Sequence, residues 1–424
     1  MAIIYRQEIL QDITLFVSQP KANFYNVLFL HLDLSLITAT HATTGRKSQK
    51  EALFCSFIVM KCEGFSRISD LHDYLSNNLL IAHYCGFDIR KPLPSYWTFD
   101  RFLKNLDNST LKNVMKGQVT KLAQLGIIDT SFIGLDATPV SANTAHNNPK
   151  SFKKNRFRKE RQPHSDKDCG LGVHTASNQH HEKNYQFYWG YKNHVLLDCI
   201  TGLPIYELTT TADIHDSTVA REILEQTDHF LSLQECHFIA DKGYDAKHIY
   251  NTIKNVYHGE CFIPINPRNT KEQKHLPIGN PTCDAGLAML RDGTFSDNGR
   301  TRQKFCCPFK RTSSKNDCPC KHKSFKKGKN TGCTKYITIP NDYRLSINRD
   351  TIAFKSVYSL RSECERYNSR FKASGQERLW VKNGSSAVNL NTLAHISLLA
   401  VALAAIVTKS DVSYRCLKTM KRAA

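Results

Sequence analysis

The sequence predicts a mixed α/β fold with a helical N-terminal region, interrupted by a basic, cysteine-containing insertion. Three observations lead there. Apolar residues recur at helical spacing through residues 1–128. From residue 131 short β-rich runs alternate with helical ones, in the order three strands, helix, strand, helix, strand. Residues 271–344 then lose apolar periodicity and gather lysine, arginine and cysteine. The division that follows is a helical N-terminal region at 1–128, the first part of an α/β core at 129–270, the insertion at 271–344, and C-terminal helices returning to the core at 345–424.

Each element has its own local reason. EALFCSFIVMKC and TLKNVMKGQVTKLAQLG carry the helical spacing of the first region, and Pro92 and Pro94 break the pattern between them. Ser95 and Thr98 are candidate caps for the helix that follows. FIGLDAT reads as a short strand ending at Asp136, with the solvated basic loop Lys150–Gln162 after it. YWGYKNHVLLD and LPIYELTTT are β-rich runs joined by CITG, a turn with Gly202, so a hairpin is expected. STVAREILEQ is a helix whose start is marked by Asp216 or Ser217, and CHFIADKGYD is a strand ending at Asp241. The helix AKHIYNTIKN and the strand ECFIPINP complete the first part of the core.

Charge narrows the partner. The chain has 58 Lys and Arg against 38 Asp and Glu, a net charge of +20. Such an excess favours a polyanion, nucleic acid before membrane, through counterion release. MAIIYRQEILQDITLF lacks the basic start and cleavage site of a signal peptide, and 15 cysteines without an export signal imply reduced thiols, so a cytosolic protein is expected. The apolar run Leu393–Val407 is short for a bilayer span and includes His395 and Ser397; it reads as a buried helix, with no membrane partner.

The segment YSLRSECERYNSRFK, Tyr358 to Lys372, raises the chemical question. As one helix it gathers Tyr358, Arg361, Glu365 and Lys372 within roughly 60° of arc, while Leu360, Cys364, Tyr367 and Phe371 form the opposite, core-facing side. Asp136 and Asp241 are the partners this row calls for. Both are expected at strand ends, where open α/β sheets place their sites, and three converging carboxylates suit hard divalent cations such as Mg²⁺. Two such ions activate an attacking oxygen and stabilise a leaving one in phosphodiester displacement. The bland alternatives are turn aspartates and an ordinary Arg361–Glu365 surface pair.

LDATPV, ADKGYD and YSLRSECERYNSRFK resemble the three acidic motifs of bacterial insertion-sequence transposases of the DDE type. The last fits that group's Y-x2-R-x3-E-x6-K signature through Tyr358, Arg361, Glu365 and Lys372, and GYKNHVLLDCITGLPI and PSYWTFDRFL resemble further family segments. The resemblance, spanning residues 50–410, implies an RNase H-like mixed sheet flanked by helices. It implies Asp136, Asp241 and Glu365 as ligands of two Mg²⁺ or Mn²⁺ ions, and Tyr358, Arg361 and Lys372 as DNA contacts. It also implies cutting and joining of double-stranded DNA at terminal inverted repeats and at a target, with a hairpin intermediate, by a homodimer at the prokaryotic nucleoid. A nuclease that cuts without joining and a non-catalytic, transposase-derived DNA-binding protein are the rival readings.

Other signals are weaker. Cys306 or Cys307, Cys318, Cys320 and Cys333 form a candidate structural zinc set, with Cys283 and His322 in reserve, although CC and CPC are tighter than usual zinc spacings. Free thiols in a DNA-facing loop are the alternative. His180 and His181 read as a solvated loop; Asp198, Asp213 and Asp216 read as turn or cap residues near the site; Trp97, Trp189 and Trp380 are candidates for base stacking or plain packing.

Overall fold

A computed structural model describes residues 20–38, 49–144, 163, 165–177, 183–266, 279–297, 300–310, 333–338 and 343–408. Helices come first: α1 (Pro20–Leu30), α2 (Lys50–Glu63), α3 (Ile68–Asn77), α4 (Leu79–Cys85), α5 (Tyr96–Asn105) and α6 (Asn108–Gln124). The α2 stretch is apolar all round, and eleven of its residues, from Ala52 to Cys62, are buried accordingly. α6 is capped by Asp107, whose side chain accepts from the Ser109 amide at 3.1 Å.

The sheet is built from β1 (Phe132–Ser141), β2 (Gly170–Ser177), β3 (Lys183–Asp198), β4 (Pro204–Thr211), β5 (His237–Ala240) and β6 (Glu260–Phe262), with α7 (Asp216–Asp228) before β5 and α8 (Lys247–Asn255) before β6. β1 runs antiparallel to β3 and parallel to β5, and β6 extends the parallel side. This is the mixed sheet flanked by helices that the sequence predicts. The expected β3–β4 hairpin turns at Gly202 with a φ of 69°, and Asp198 holds the turn by accepting from the Ile200 amide and the Thr201 hydroxyl. β2 is an addition to the expected order; it pairs with the first half of β3, upstream of the part that meets β1 and β4. The α7 cap is His215, not Asp216 or Ser217: its ring accepts from the Ser217 amide.

The chain returns to the core through α9 (Ile352–Ser359), α10 (Ser362–Phe371) and α11 (Gly384–Val407). α11 is longer than the apolar run suggests because its first turns carry Ser386, Asn389, Asn391 and Thr392, which are buried but polar. Its 24 residues have the length and composition of a membrane span, yet 83% of its most apolar window is buried inside the protein, against α2, α5 and α6.

In the insertion, β7 (Leu290–Asp297), β8 (Arg300–Cys306) and β9 (Thr334–Thr338) make a separate antiparallel sheet. Cys283, Cys307 and Cys333 pack with Met289 and Phe305. Cys307, just beyond β8, belongs to this cluster and its amide donates to the Cys333 carbonyl at 2.9 Å, whereas Cys306 is buried outside it. Cys318, Cys320 and His322 lie outside the described residues, as do His180, His181 and all of the basic loop Lys150–Gln162.

Candidate active site

β1 and β5 run parallel with Leu135 opposite Ala240, so the next residue of each strand is an aspartate. Asp241 leaves the sheet at once; its Oδ1 accepts from the Gly243 amide at 2.7 Å and caps a 3₁₀ turn over Lys242–Tyr244. Asp136 does not end its strand, as expected from the sequence, but lies in the middle of β1, which continues to Ser141 along β3. What ends there is the partner β5, and its departure opens one side of β1 at Asp136.

The pair is electrostatically frustrated. Burial, then the charge of Asp241, push the Asp136 carboxyl up from its ordinary 3.8 to about 7, with Asp216 adding to the rise and Arg361 opposing it. Asn368 on α10 donates from Nδ2 to Asp136 Oδ2 at 2.9 Å. The other end of that amide, Oδ1, is buried and has no hydrogen-bond partner among the described residues, and the same holds for the Tyr244 hydroxyl, which feels the charges of Asp216, Asp136 and Asp241. Two crowded carboxyls beside two orphaned polar atoms make a place that a hydrated divalent cation fits.

The third acid arrives on an interrupted helix. The expected continuous helix from Tyr358 to Lys372 is two, α9 and α10, because the junction tightens to i→i−3 bonds: the Arg361 amide donates to the Tyr358 carbonyl and Cys364 to Arg361. The direction stays helical and the polar row survives. Arg361 feels the charges of Tyr358, Asp136, Glu365 and Asp241, so it lies among all three acids. It forms an ion pair with Glu365, whose side chain remains 62% exposed. Among the described residues no group of three His, Cys, Asp or Glu side chains is arranged to hold a metal ion. Asp136 and Asp241 therefore meet, while Glu365 stands on the adjoining helix, held by Arg361.

Tyr358 stacks on Phe354 with centroids 5.9 Å apart, and burial pushes its phenol up. Lys372 follows α10 directly, seven residues beyond Glu365 and so on the same face, at the start of a π-helical turn, Lys372–Gln376. Asn368, missed in the sequence, completes that face: positions 361, 365, 368 and 372 follow a four-three-four spacing that marks one side of a helix. Asp216, read as a cap, forms an ion pair with Lys192 at 2.8 Å, close enough to Asp136 to act on its titration. Trp189 is buried, whereas Trp97 and Trp380 are exposed.

The family model described as "Transposase DDE domain" matches residues 128–400, from just before β1 into α11. The chain belongs to the transposase DDE domain family. Two solved structures are similar to this transposase. One is a piggyBac transposase synaptic complex with hairpin DNA, 9% identical, covering 97% of this chain and 80% of that one at a TM-score of 0.39. The other is a Mos1 transposase paired-end complex with the left transposon end, 10% identical, covering 46% and 57% at a TM-score of 0.17. At those values the likenesses carry no residue-level correspondence. No curated protein matches the transposase.

Proposed function

We propose that this chain is the transposase of a bacterial insertion sequence, carrying the Y-R-E-K signature, which cuts DNA at the ends of its own element and joins them to a target. The observation that carries the reading is the Asp136–Asp241 pair, with Asp136 pushed to about 7 at the side of β1 that β5 vacates. Asp136, Asp241 and Glu365 would hold Mg²⁺ or Mn²⁺, two ions in the arrangement the resemblance implies, and the bound metal would activate the attacking oxygen and stabilise the leaving one. For this Glu365 leaves Arg361. Arginine forks onto phosphate oxygens, so a DNA phosphate arriving at Arg361 offers the exchange that frees the carboxylate. Tyr358 supplies a hydroxyl to the same strand and Lys372 a point charge, and Asn368 holds Asp136 in orientation.

The chemistry is two displacements at phosphorus. In the first, water attacks at the element's end, the P–O3′ bond breaks, and the leaving oxygen takes a proton to become a free 3′ hydroxyl. In the second, that hydroxyl loses its proton, attacks a target phosphorus and releases a target 3′ oxygen, so one phosphodiester forms as another breaks. A hairpin step is the same attack directed at the opposite strand. Synapsis of two ends calls for a homodimer on DNA, with the N-terminal helices and the insertion as further contacts, at the nucleoid of a prokaryotic cell.

The test is cleavage of a duplex bearing the native terminal repeats with Mg²⁺, comparing wild type with Asp136→Ala, Asp241→Ala and Glu365→Ala. All three are expected to bind DNA and none to cut; cutting by any one removes that residue from the site. The Arg361–Glu365 pair is the observation that favours a non-catalytic DNA-binding descendant. Wild type that binds the ends without cutting them decides for that reading, and cutting without strand transfer decides for a nuclease.

A further inference from the structure

We propose that Arg67, Trp380 and Arg378 form a second contact for the DNA backbone, taking phosphates of the duplex arm beside the cleavage site; the inference rests on the DNA-processing reading above. The place is built by close docking of the N-terminal helices on the end of α10. Gly64 ends α2 with a φ of 76°, Gly375 turns the π-helical segment with a φ of 85°, and a Cβ on either would lie within 2.8 Å of the other segment's backbone oxygens. Beneath them the buried Lys61 ammonium donates to Gln376 Oε1 at 3.2 Å. The chain then runs into Arg378 and Trp380 on one side and Arg67, at the start of α3, on the other.

Here the guanidinium of Arg67 is 3.9 Å, and that of Arg378 4.8 Å, from the centre of the Trp380 indole. All three side chains are exposed. Among the described residues neither arginine forms an ion pair, although Glu377 is the exposed neighbour of Arg378. Other arginines of this core are already engaged: Arg361, Arg366 and Arg370 hold glutamates, Arg344 holds Asp245, and the buried Arg349 donates to the Ile263, Arg344 and Ile347 carbonyls. A guanidinium seated on an aromatic face is held in plane, yet keeps its charge and the N–H donors of its edge for another acceptor.

Position identifies the acceptor. The Ser141 amide donates to the Glu377 carbonyl at 3.1 Å, and Leu379 donates to the Ser141 carbonyl at 2.9 Å, so Arg378 is stitched to the last residue of β1. Asp136 is five residues back on that strand, about 16 Å at strand rise, or roughly five base-pair steps along a duplex axis. A backbone leaving the acidic pair along β1 meets these two guanidiniums next, on a chain with net charge +20.

The experiment is fluorescence anisotropy on a labelled duplex of the element end over a range of salt. It compares wild type, Arg67→Ala/Arg378→Ala and Arg67→Lys/Arg378→Lys. The double alanine variant is expected to bind at least about tenfold more weakly near 0.1 M salt, with a slope of log K against log salt shallower by about 2. The lysine pair recovers the slope. If wild type itself does not bind duplex DNA, the DNA-processing reading fails. If wild type binds and the double alanine variant matches it in affinity and slope, this inference alone fails. Should the alanine variant unfold by circular dichroism, the double glutamine variant takes its place with the same two outcomes.

Discussion

The two sides of α10 are polar in opposite ways. On the side away from solvent, the Tyr367 hydroxyl meets His395 Nδ1 at 2.5 Å, His395 Nε2 meets Asn193 Oδ1 at 2.9 Å, and Asn193 Nδ2 donates to Glu207 at 2.7 Å. Glu207 also accepts from Thr392 and from the Lys112 ammonium. Burial would raise the Glu207 carboxyl, but the Lys112 ammonium and these hydrogen bonds outweigh it and hold it low, while burial drives His395 down to about 4. A neutral ring beside an amide oxygen must donate from Nε2 and accept at Nδ1, so the ionised glutamate fixes every proton up to Tyr367. One residue further, Asn368 faces the acids, where the carboxyls repel, an oxygen is orphaned and Glu365 is held by an arginine. A complete network fixes the helix; an incomplete one leaves work for a ligand.

The comparison breaks most directly at Glu207. Glu207→Ala strands a buried ammonium and unfastens Asn193, and should cost roughly 3–5 kcal/mol of stability in urea unfolding. A loss under about 1 kcal/mol would mean the network holds nothing in place.

Lys61 is next, a buried ammonium with an amide for a partner and, among the described residues, no carboxylate within ion-pair distance. Burial lowers it from 10.5 to about 7. The unfolded chain therefore binds more protons between pH 7 and 10.5, and wild-type stability rises across that window and is flat below it. Lys61→Met should flatten the rise and add about 2 kcal/mol near pH 7. Equal pH slopes for the two proteins would show that the ammonium is solvated.

How much of this was legible follows from where the partners lie. Asp136, Asp241 and the row on α10 could be read because each depends on spacing within one short segment. The mid-strand place of Asp136 could not, since it is set by where β5 stops, on a different strand. The Glu207 network draws on residues 112, 193, 207, 392 and 395, whose meeting no local pattern encodes. The pairing of Arg361 with Glu365 was visible as a spacing but not as a state, because either charge also suits DNA or metal.

Asp136 tests the frustrated side through stability rather than activity. Its raised carboxyl contributes stability that is complete below about pH 4 and lost as pH rises through about 7. Asp136→Asn should stabilise the chelator-treated protein by about 1–2 kcal/mol at pH 8, and should abolish the thermal shift that Mg²⁺ gives wild type. A wild type that Mg²⁺ does not stabilise would count against a cation at this pair.

The smallest and sharpest change is at Asn368, where the two sides of α10 join. Asn368→Ala leaves Tyr367 and its network in place and removes the amide that donates to Asp136. Since that hydrogen bond favours the ionised carboxylate, its loss moves Asp136 further up, and the pH at which Mg²⁺-dependent cutting reaches half its plateau should move with it to higher pH. A rate loss of about tenfold at neutral pH is expected, shrinking as the pH is raised, because deprotonation then restores the ligand. A purely structural role for Asn368 predicts a loss that pH does not repair, together with a lower melting temperature. The pH profile therefore separates an amide that orients a carboxylate from one that only packs a helix.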